Sequence, residues 1–285
     1  MIRRPPTIAR RGMVVAAHPL AAEAGVEMLR AGGHAVDAAL AAAMVLAVVE
    51  PSASGLGGDA FLLIYDRKDG AVSVINGSGR APGELRADRF ASRREVPARS
   101  PLAPTVPGCV SAWDEASYGW GRLEWRDLLA PATALAEEGY PVSWRMARIL
   151  RRERATLAAD PGLAAAFLDP TGAPRPAGSI VRVPALARTL RTLADDGPES
   201  FYHGPLAGRL ARGIREAGGM LSVGDLAAHE SDLRSPVTTP AHPTAPGAPA
   251  AVELCTMPLP SQGMLLLLAA AILEREVPAV LGRPA

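Results

Sequence analysis

Metal ligation, nucleophilic attack and acid–base work need histidines, cysteines or carboxylates at short, regular spacings. Five histidines, His18, His34, His203, His229 and His242, are dispersed along the chain without metal-ligand spacing, and none is read as catalytic. Cys109 and Cys255 lie far apart and outside any CxxC or CxxH pattern, so neither a zinc site nor a disulfide framework is indicated. Both read as buried thiols. Asp37, Glu50 and Asp59 could pass for metal ligands or an acid–base pair, yet helix capping and solvation account for them more simply. The turn Ser54 to Asp59 (SGLGGD) carries glycines that could approach a phosphate. No Lys-Ser or Lys-Thr follows, and the turn runs from helix to strand, the reverse of a P-loop's order. It reads as a close-packing turn.

The elements that hold these residues are marked by periodicity and punctuation. Pro19 opens a helix in the first-turn position, and Gly32 and Gly33 end it. A second helix runs from about Ala35 to Val49, rich in alanines that let other backbones approach, and reads as buried on most faces. Glu50 and Pro51 break it. Phe61 to Tyr65 and Ala71 to Asn76, joined by Arg67 to Gly70, read as a β-hairpin. Gly12 to Ala17 and Val252 to Thr256 read as two further short strands. Pro82 to Pro107 reads as surface connection with one short helix. Helical periodicity then dominates from Gly108 to Tyr118, Glu124 to Gly139, Ser143 to Ala159, Pro184 to Asp196, Gly204 to Ala217 and Val223 to Glu230. Ser235 to Ala251 is rich in proline and alanine and reads as a loosely ordered connection, before a last helix from Met264 to Glu276.

Bulk properties exclude several classes of function. At 285 residues, 48% of them hydrophobic, the chain can bury a sizeable core. A net charge of +1, from 30 basic and 29 acidic residues, gives no footprint for nucleic acid or an anionic membrane. Its longest apolar runs, Ala38 to Val49 and Met264 to Leu273, fall short of the roughly 17 residues a bilayer crossing needs. The N-terminal MIRRPPTIARRG has no apolar stretch after it, since His18 and Glu23 interrupt. No secretion signal is read, and a cytoplasmic location is the expectation.

From Ala31 to Asp66 the sequence AGGHAVDAALAAAMVLAVVEPSASGLGGDAFLLIYD resembles the start of the large subunit of the γ-glutamyltransferases, a group of N-terminal-nucleophile hydrolases. The resemblance continues in order through VPG (Val106 to Gly108), LLAPATALAEEGYPVS (Leu128 to Ser143) and GPESFYHGPLA (Gly197 to Ala207). AGGMLSVGDLAAH (Ala217 to His229) and MPLPSQG (Met257 to Gly263) complete it. It implies an αββα sandwich, and a reaction in which a threonine freed by self-cleavage attacks a γ-glutamyl amide, its own α-amine acting as base. That threonine opens a Thr-Thr-His type sequence in the small subunit, and this chain has no such match. Thr238-Thr239 is followed by Pro240 and Ala241 and reads as a plain loop. The expectation is therefore that the chain has no catalytic residue of its own and is inactive alone.

What the resemblance assigns to the large subunit is an arginine that clamps the donor's carboxylate, in a stretch similar to G-R-E-x-A-P after the hairpin. A bidentate guanidinium suits that task. Here the stretch is Asn76-Gly77-Ser78-Gly79-Arg80-Ala81-Pro82. Aligned on Gly77 and Pro82, the clamp position holds Ser78, with Arg80 two residues on, where it can point the same way. Ser78 and Arg80 are thus the expected substrate-binding residues, and the departure points to a branch acting on another small acyl amide.

The fold expected is α+β, part of an αββα sandwich with a large helical lobe. Residues 1–107 contribute to the sandwich, 108–234 form the lobe, and 235–285 supply a linker, a strand and the final helix. The expected partners are a small-subunit-like chain carrying the threonine and a small amide substrate, with no nucleic acid, membrane, metal or cofactor. A non-catalytic scaffold and a truncated product are the alternatives. Few strands are legible, and the hairpin alone leaves an open edge and an uncovered apolar face.

Overall fold

The computed structural model of the protein describes residues 7–90, 96, 99–241 and 251–280. Helix α1 (Pro19–Arg30) begins with proline in its first turn, and the N–H of Leu20 donates to His18 Nδ1 at 3.2 Å. Helix α2 (Ala35–Val49) starts with a reciprocal cap. The His34 side chain accepts from the first turn while the N–H of His34 donates to Asp37 Oδ2 at 2.8 Å. Small residues then let the two helices meet closely: a Cβ on Gly25 of α1 would lie 2.8 Å from the Ala38 carbonyl oxygen. Leu40, Met44, Val45 and Val48 make α2 the buried axis of the core.

Strands β1 (Ala60–Asp66) and β2 (Ala71–Gly77) form the expected antiparallel hairpin, with Ala60 opposite Gly77 and Asp66 opposite Ala71. Asp66 Oδ1 accepts from the N–H of Lys68, and Gly70 takes the positive φ of +72° that closes the turn. A 3₁₀ turn at Ala87–Phe90 is the short helix expected in the connection that follows.

Helix α3 (Cys109–Trp120) packs on this hairpin, and α4 (Trp125–Glu138) lies along α2. The lobe continues through β3 (Tyr140–Pro141), α5 (Trp144–Arg152), α6 (Arg154–Ala159) and α7 (Pro161–Phe167). It then runs through β4 (Ile180–Val181), α8 (Pro184–Asp196), α9 (Gly204–Glu216) and α10 (Val223–Ala227). Strands β5 (Asp232–Arg234), β6 (Val237–Ala241) and β7 (Val252–Thr256) precede α11 (Gly263–Val280). Three small sheets result, ordered β1-β2-β5, β3-β4 and β6-β7. With eleven α-helices among the described residues, the fold is α+β.

Four local readings change. Residues 12–17, expected as a short buried strand, form no strand and are largely exposed, Met13 at 50% and Val15 at 86%; only Val14 comes against Gly25 of α1, so the apolar run marks neither burial nor a pairing neighbour. The single helix expected over Ser143 to Ala159 breaks at Glu153 into α5 and α6. The helix expected over Val223 to Glu230 stops at Ala227, which frees His229 from helical geometry. Thr238 and Thr239 lie on β6, opposite Cys255 and Leu254, rather than in a loop; residues 242–250 of the expected linker lie outside the described residues.

Among the described residues no helix is long and apolar enough to cross a membrane. No group of three or more His, Cys, Asp or Glu side chains among them is gathered to hold a metal ion.

Candidate functional site

The loop that leaves β2 carries both expected binding residues, and two other segments lock it. Gly79 donates its N–H to Asp59 Oδ1 at 3.1 Å, tying the loop to the glycine-rich turn before β1. Val106 donates to the Arg80 carbonyl oxygen at 2.9 Å. Residues 77–80 and 106–108 therefore run side by side, so closely that a Cβ on Gly79 would fall 1.6 Å from the Val106 carbonyl oxygen. Gly58 completes the frame, its carbonyl accepting from the N–H groups of Gly108 and Cys109 at the start of α3. The glycine-rich turn caps the start of α3 through the Gly58 carbonyl, but it is not the close-packing turn expected: an added Cβ on Gly55 or Gly57 would meet nothing within 4 Å.

Ser78 and Arg80 behave differently within this frame. The Ser78 hydroxyl donates to Asn76 Oδ1 at 2.8 Å and its N–H reaches the same oxygen, so the side chain is spent on fixing the turn. Arg80 is exposed, and its guanidinium makes no hydrogen bond or ion pair with any described residue. The two residues share a loop but present only one group for a ligand. Asp232, across the sheet from Asn76, is held by Arg234 at 2.7 Å.

His229 stands close to this loop's neighbouring wall. Its ring stacks on Tyr202, centroids 5.5 Å apart at 24°, and its Nε2 is buried without a hydrogen-bond partner against Gly108. Burial holds its pKa below the ordinary histidine value; Asp59 opposes that shift and Arg80 reinforces it. Tyr202 is fixed in turn, donating to the Pro107 carbonyl at 2.9 Å and accepting from the N–H of Ser111 at 2.8 Å. Cys109 adds no chemistry: burial, with Asp59 nearby, pushes its thiol up to about 12, where it stays protonated. The only sequence signal for His229 and Tyr202 was that each lies inside a family-like segment.

Asp37 and Glu50 separate as well. Asp37 caps α2, and its Oδ1 also accepts from the N–H groups of Arg122 and Leu123 at 2.9 and 3.0 Å. Glu50 is not solvated: it ends α2 buried, with Arg145 Nε 3.9 Å from Oε2.

A groove of about 980 Å³ lies elsewhere. β1, α2 and the C-terminal end of α3 line it, and Ser78, Arg80 and His229 do not. On its wall Phe61, Leu63 and Tyr65 are 47%, 50% and 64% exposed. The edge of β1 away from β2 pairs with no described strand.

Comparison with known proteins identifies the family of this scaffold, whose sheet is open on one side. Residues 21–279 match the family model described as Gamma-glutamyltranspeptidase, and the chain belongs to that family. It is 42% identical over 237 residues to the oxamate amidohydrolase proenzyme of Klebsiella pneumoniae, covering 81% of this chain and 44% of that protein. It is 37% identical to the glutathione hydrolase-like YwrD proenzyme of Bacillus subtilis, with 81% and 44% covered. Among solved structures, the γ-glutamyltranspeptidase of Helicobacter pylori superposes with a TM-score of 0.84 at 29% identity, over 93% of this chain and 74% of that one. The transpeptidase CapD of Bacillus anthracis gives 0.77 at 28%, over 94% and 83%. The chain thus spans a little under half the length of these two curated relatives.

Proposed function

We propose that the chain is the large-subunit-like portion of an amide hydrolase or acyltransferase of the γ-glutamyltranspeptidase type. In this reading it holds the acidic acyl group of a small amide at Arg80, while a threonine-bearing portion supplies the attacking hydroxyl and its amine base. The observation that carries it is the Arg80 guanidinium, unpaired among the described residues at the meeting point of family-like segments. A guanidinium left unpaired costs nothing in solvent and stays available for bidentate capture of a carboxylate.

The choice of acyl group follows from the position of that arginine. Ser78 occupies the expected clamp position and is engaged with Asn76, so the cation is set two residues further along the loop. A different reach suits an acyl group other than γ-glutamyl, and the oxamate amidohydrolase relative makes a short acidic amide the first substrate to test. The uncovered face of β1 is the docking surface this reading gives to the threonine-bearing portion.

The test is complementation. Residues 1–285 are co-expressed with the threonine-bearing portion of the Klebsiella relative, and ammonia release from oxamate and γ-glutamyl anilide hydrolysis are both followed. The chain alone is expected to be silent and the pair active on at least one substrate, with Arg80→Ala lowering kcat/KM by roughly 100-fold. Turnover by the isolated chain, or an Arg80→Ala pair as active as the parent, overturns the reading.

A further inference from the structure

We propose that Asp225 is a positioning residue for Arg80: its carboxylate ties the loop that presents the guanidinium to the helical lobe, and that tie sets the affinity for the acyl carboxylate. The inference rests on the reading of Arg80 as a carboxylate-binding residue and adds to it the group that holds the loop in place.

The loop needs a fixed point on each side of Arg80. Asp59 holds the N–H of Gly79, and Val106 holds the Arg80 carbonyl, so both of these contacts lie at or before that residue. The fixed point beyond it is the N–H of Gly83, which donates to Asp225 Oδ1 at 2.9 Å, a bond strengthened by the carboxylate's charge. Next to it Glu84 meets Arg215 of α9 at 2.7 Å, an exposed pair that adds little. A segment pinned on both flanks of a residue keeps that side chain in one direction. A segment pinned on one flank must be ordered when the ligand arrives, and the ordering is subtracted from the affinity.

Asp225 is itself held rigidly, as an anchor must be. Its Oδ2 accepts from the N–H of Ser222 at 2.8 Å and from the Ser222 hydroxyl at 2.6 Å, while its own N–H donates to Ser222 Oγ at 3.1 Å. This is the reciprocal cap of α10. One carboxylate oxygen thus serves the lobe and the other the loop, so the two roles can be separated by substitution. The same corner also meets the segment that leads to Val106: a Cβ on Gly219, between α9 and α10, would lie 2.7 Å from the Pro101 carbonyl oxygen. Both partners of the Arg80–Val106 hydrogen bond therefore rest on it.

The experiment uses the full chain and oxamate as probe. Calorimetry separates the affinity from the fraction of chain able to bind, and amide hydrogen exchange of residues 78–84 is followed without ligand. Asp225→Glu can still close the capping box, since glutamate serves at that position, but its longer side chain cannot present an oxygen to Gly83 in the same geometry. It is expected to weaken oxamate binding about tenfold at unchanged stoichiometry and to speed exchange at Gly83. Ser222→Ala, which weakens the cap and leaves Asp225 Oδ1 on Gly83, should unfold earlier yet bind oxamate like the parent. Because Asp225 acts through Arg80, Asp225→Glu should add no further loss to Arg80→Gln. Asp225→Glu with the parent's affinity or the parent's exchange, Ser222→Ala that weakens binding as much, or additive losses in the double variant overturns the role of Asp225 while leaving Arg80 as a binding residue. Arg80→Gln binding as tightly as the parent, or a parent that does not bind oxamate, removes the carboxylate reading itself and the role of Asp225 with it.

Discussion

Gly77 and Gly108 pass so closely that a Cβ on Gly108 would lie 2.0 Å from the Gly77 carbonyl oxygen. Their contact joins the end of β2 to the start of α3 and so sets where the Arg80 loop and His229 stand relative to each other. Gly108→Ala must push backbone against backbone at Gly77, with the His229 ring also crowded at 2.9 Å. The expected cost is about 3 kcal/mol, at the upper end of core overpacking. Urea unfolding should show it as an earlier midpoint, and oxamate binding should weaken in the same variant; a midpoint equal to the parent's would show that the two segments can separate freely.

Asp37 caps α2 and clamps the turn between α3 and α4, its carboxylate accepting three backbone N–H bonds from His34, Arg122 and Leu123. Desolvation works against its charged form, but those bonds and nearby His34 outweigh it and hold the carboxyl below its usual range. Asp37→Ala removes the cap and strands two further N–H groups, a loss of about 3 kcal/mol. Thermal unfolding should fall by roughly 6–10 °C for a domain of this size. Asp37→Asn keeps one acceptor oxygen and should lose less. Equal midpoints for the parent and Asp37→Ala would sink the argument.

Stability should also fall on mild acidification, through two histidines whose burial disfavours their charged form. Burial holds the pKa values of both His18 and His229 below the ordinary 6.5, with Glu50 opposing the shift at His18. The unfolded chain therefore takes up protons below about pH 6.5 that the folded chain refuses. Stability is full above that value and is lost as pH falls towards the folded pKa values, at no more than about 1.4 kcal/mol per pH unit for each histidine. Asp37 and Asp225, both held low, act in a separate window below about pH 3.8. Urea midpoints from pH 7.5 to 5 test this: His18→Asn, which can still cap α1, should flatten part of the slope. A flat parent profile would contradict it.

Sequence and structure agree where a pattern is local. The hairpin, the glycine-ended α1 and the alanine-packed α2 are all written in spacing and punctuation, and each forms with bounds close to those expected. Strands β3, β4 and β5 are two or three residues long, too short for any period to mark, and exist only because a partner lies beside them. Arg80 falls on the loop after the hairpin, where its local motif places it, and is exposed there. His229, about 150 residues further along the chain, is held near that loop's wall by the Tyr202 and Gly108 contacts, which no window of sequence contains. Glu50 misled for the same reason: a charged residue after a helix reads as solvated, yet the lobe covers it.

Phe61, Leu63 and Tyr65 present an apolar ladder along an edge strand, beside the groove formed with α2 and α3. In the isolated chain this is an aggregation surface, because an unpaired edge with apolar side chains templates further pairing. Leu63→Lys places a charge on that edge while Val74, directly opposite it across the hairpin, stays buried. Thermal stability should change by less than about 1 kcal/mol, as for other exposed positions. Light scattering of the isolated chain at raised concentration should drop. If the threonine-bearing portion covers this face, the same lysine must be buried against it, and co-purification with that portion should fall at least about tenfold. A Leu63→Lys chain that aggregates less but still assembles and turns over substrate like the parent would show that β1 faces solvent in the complete enzyme.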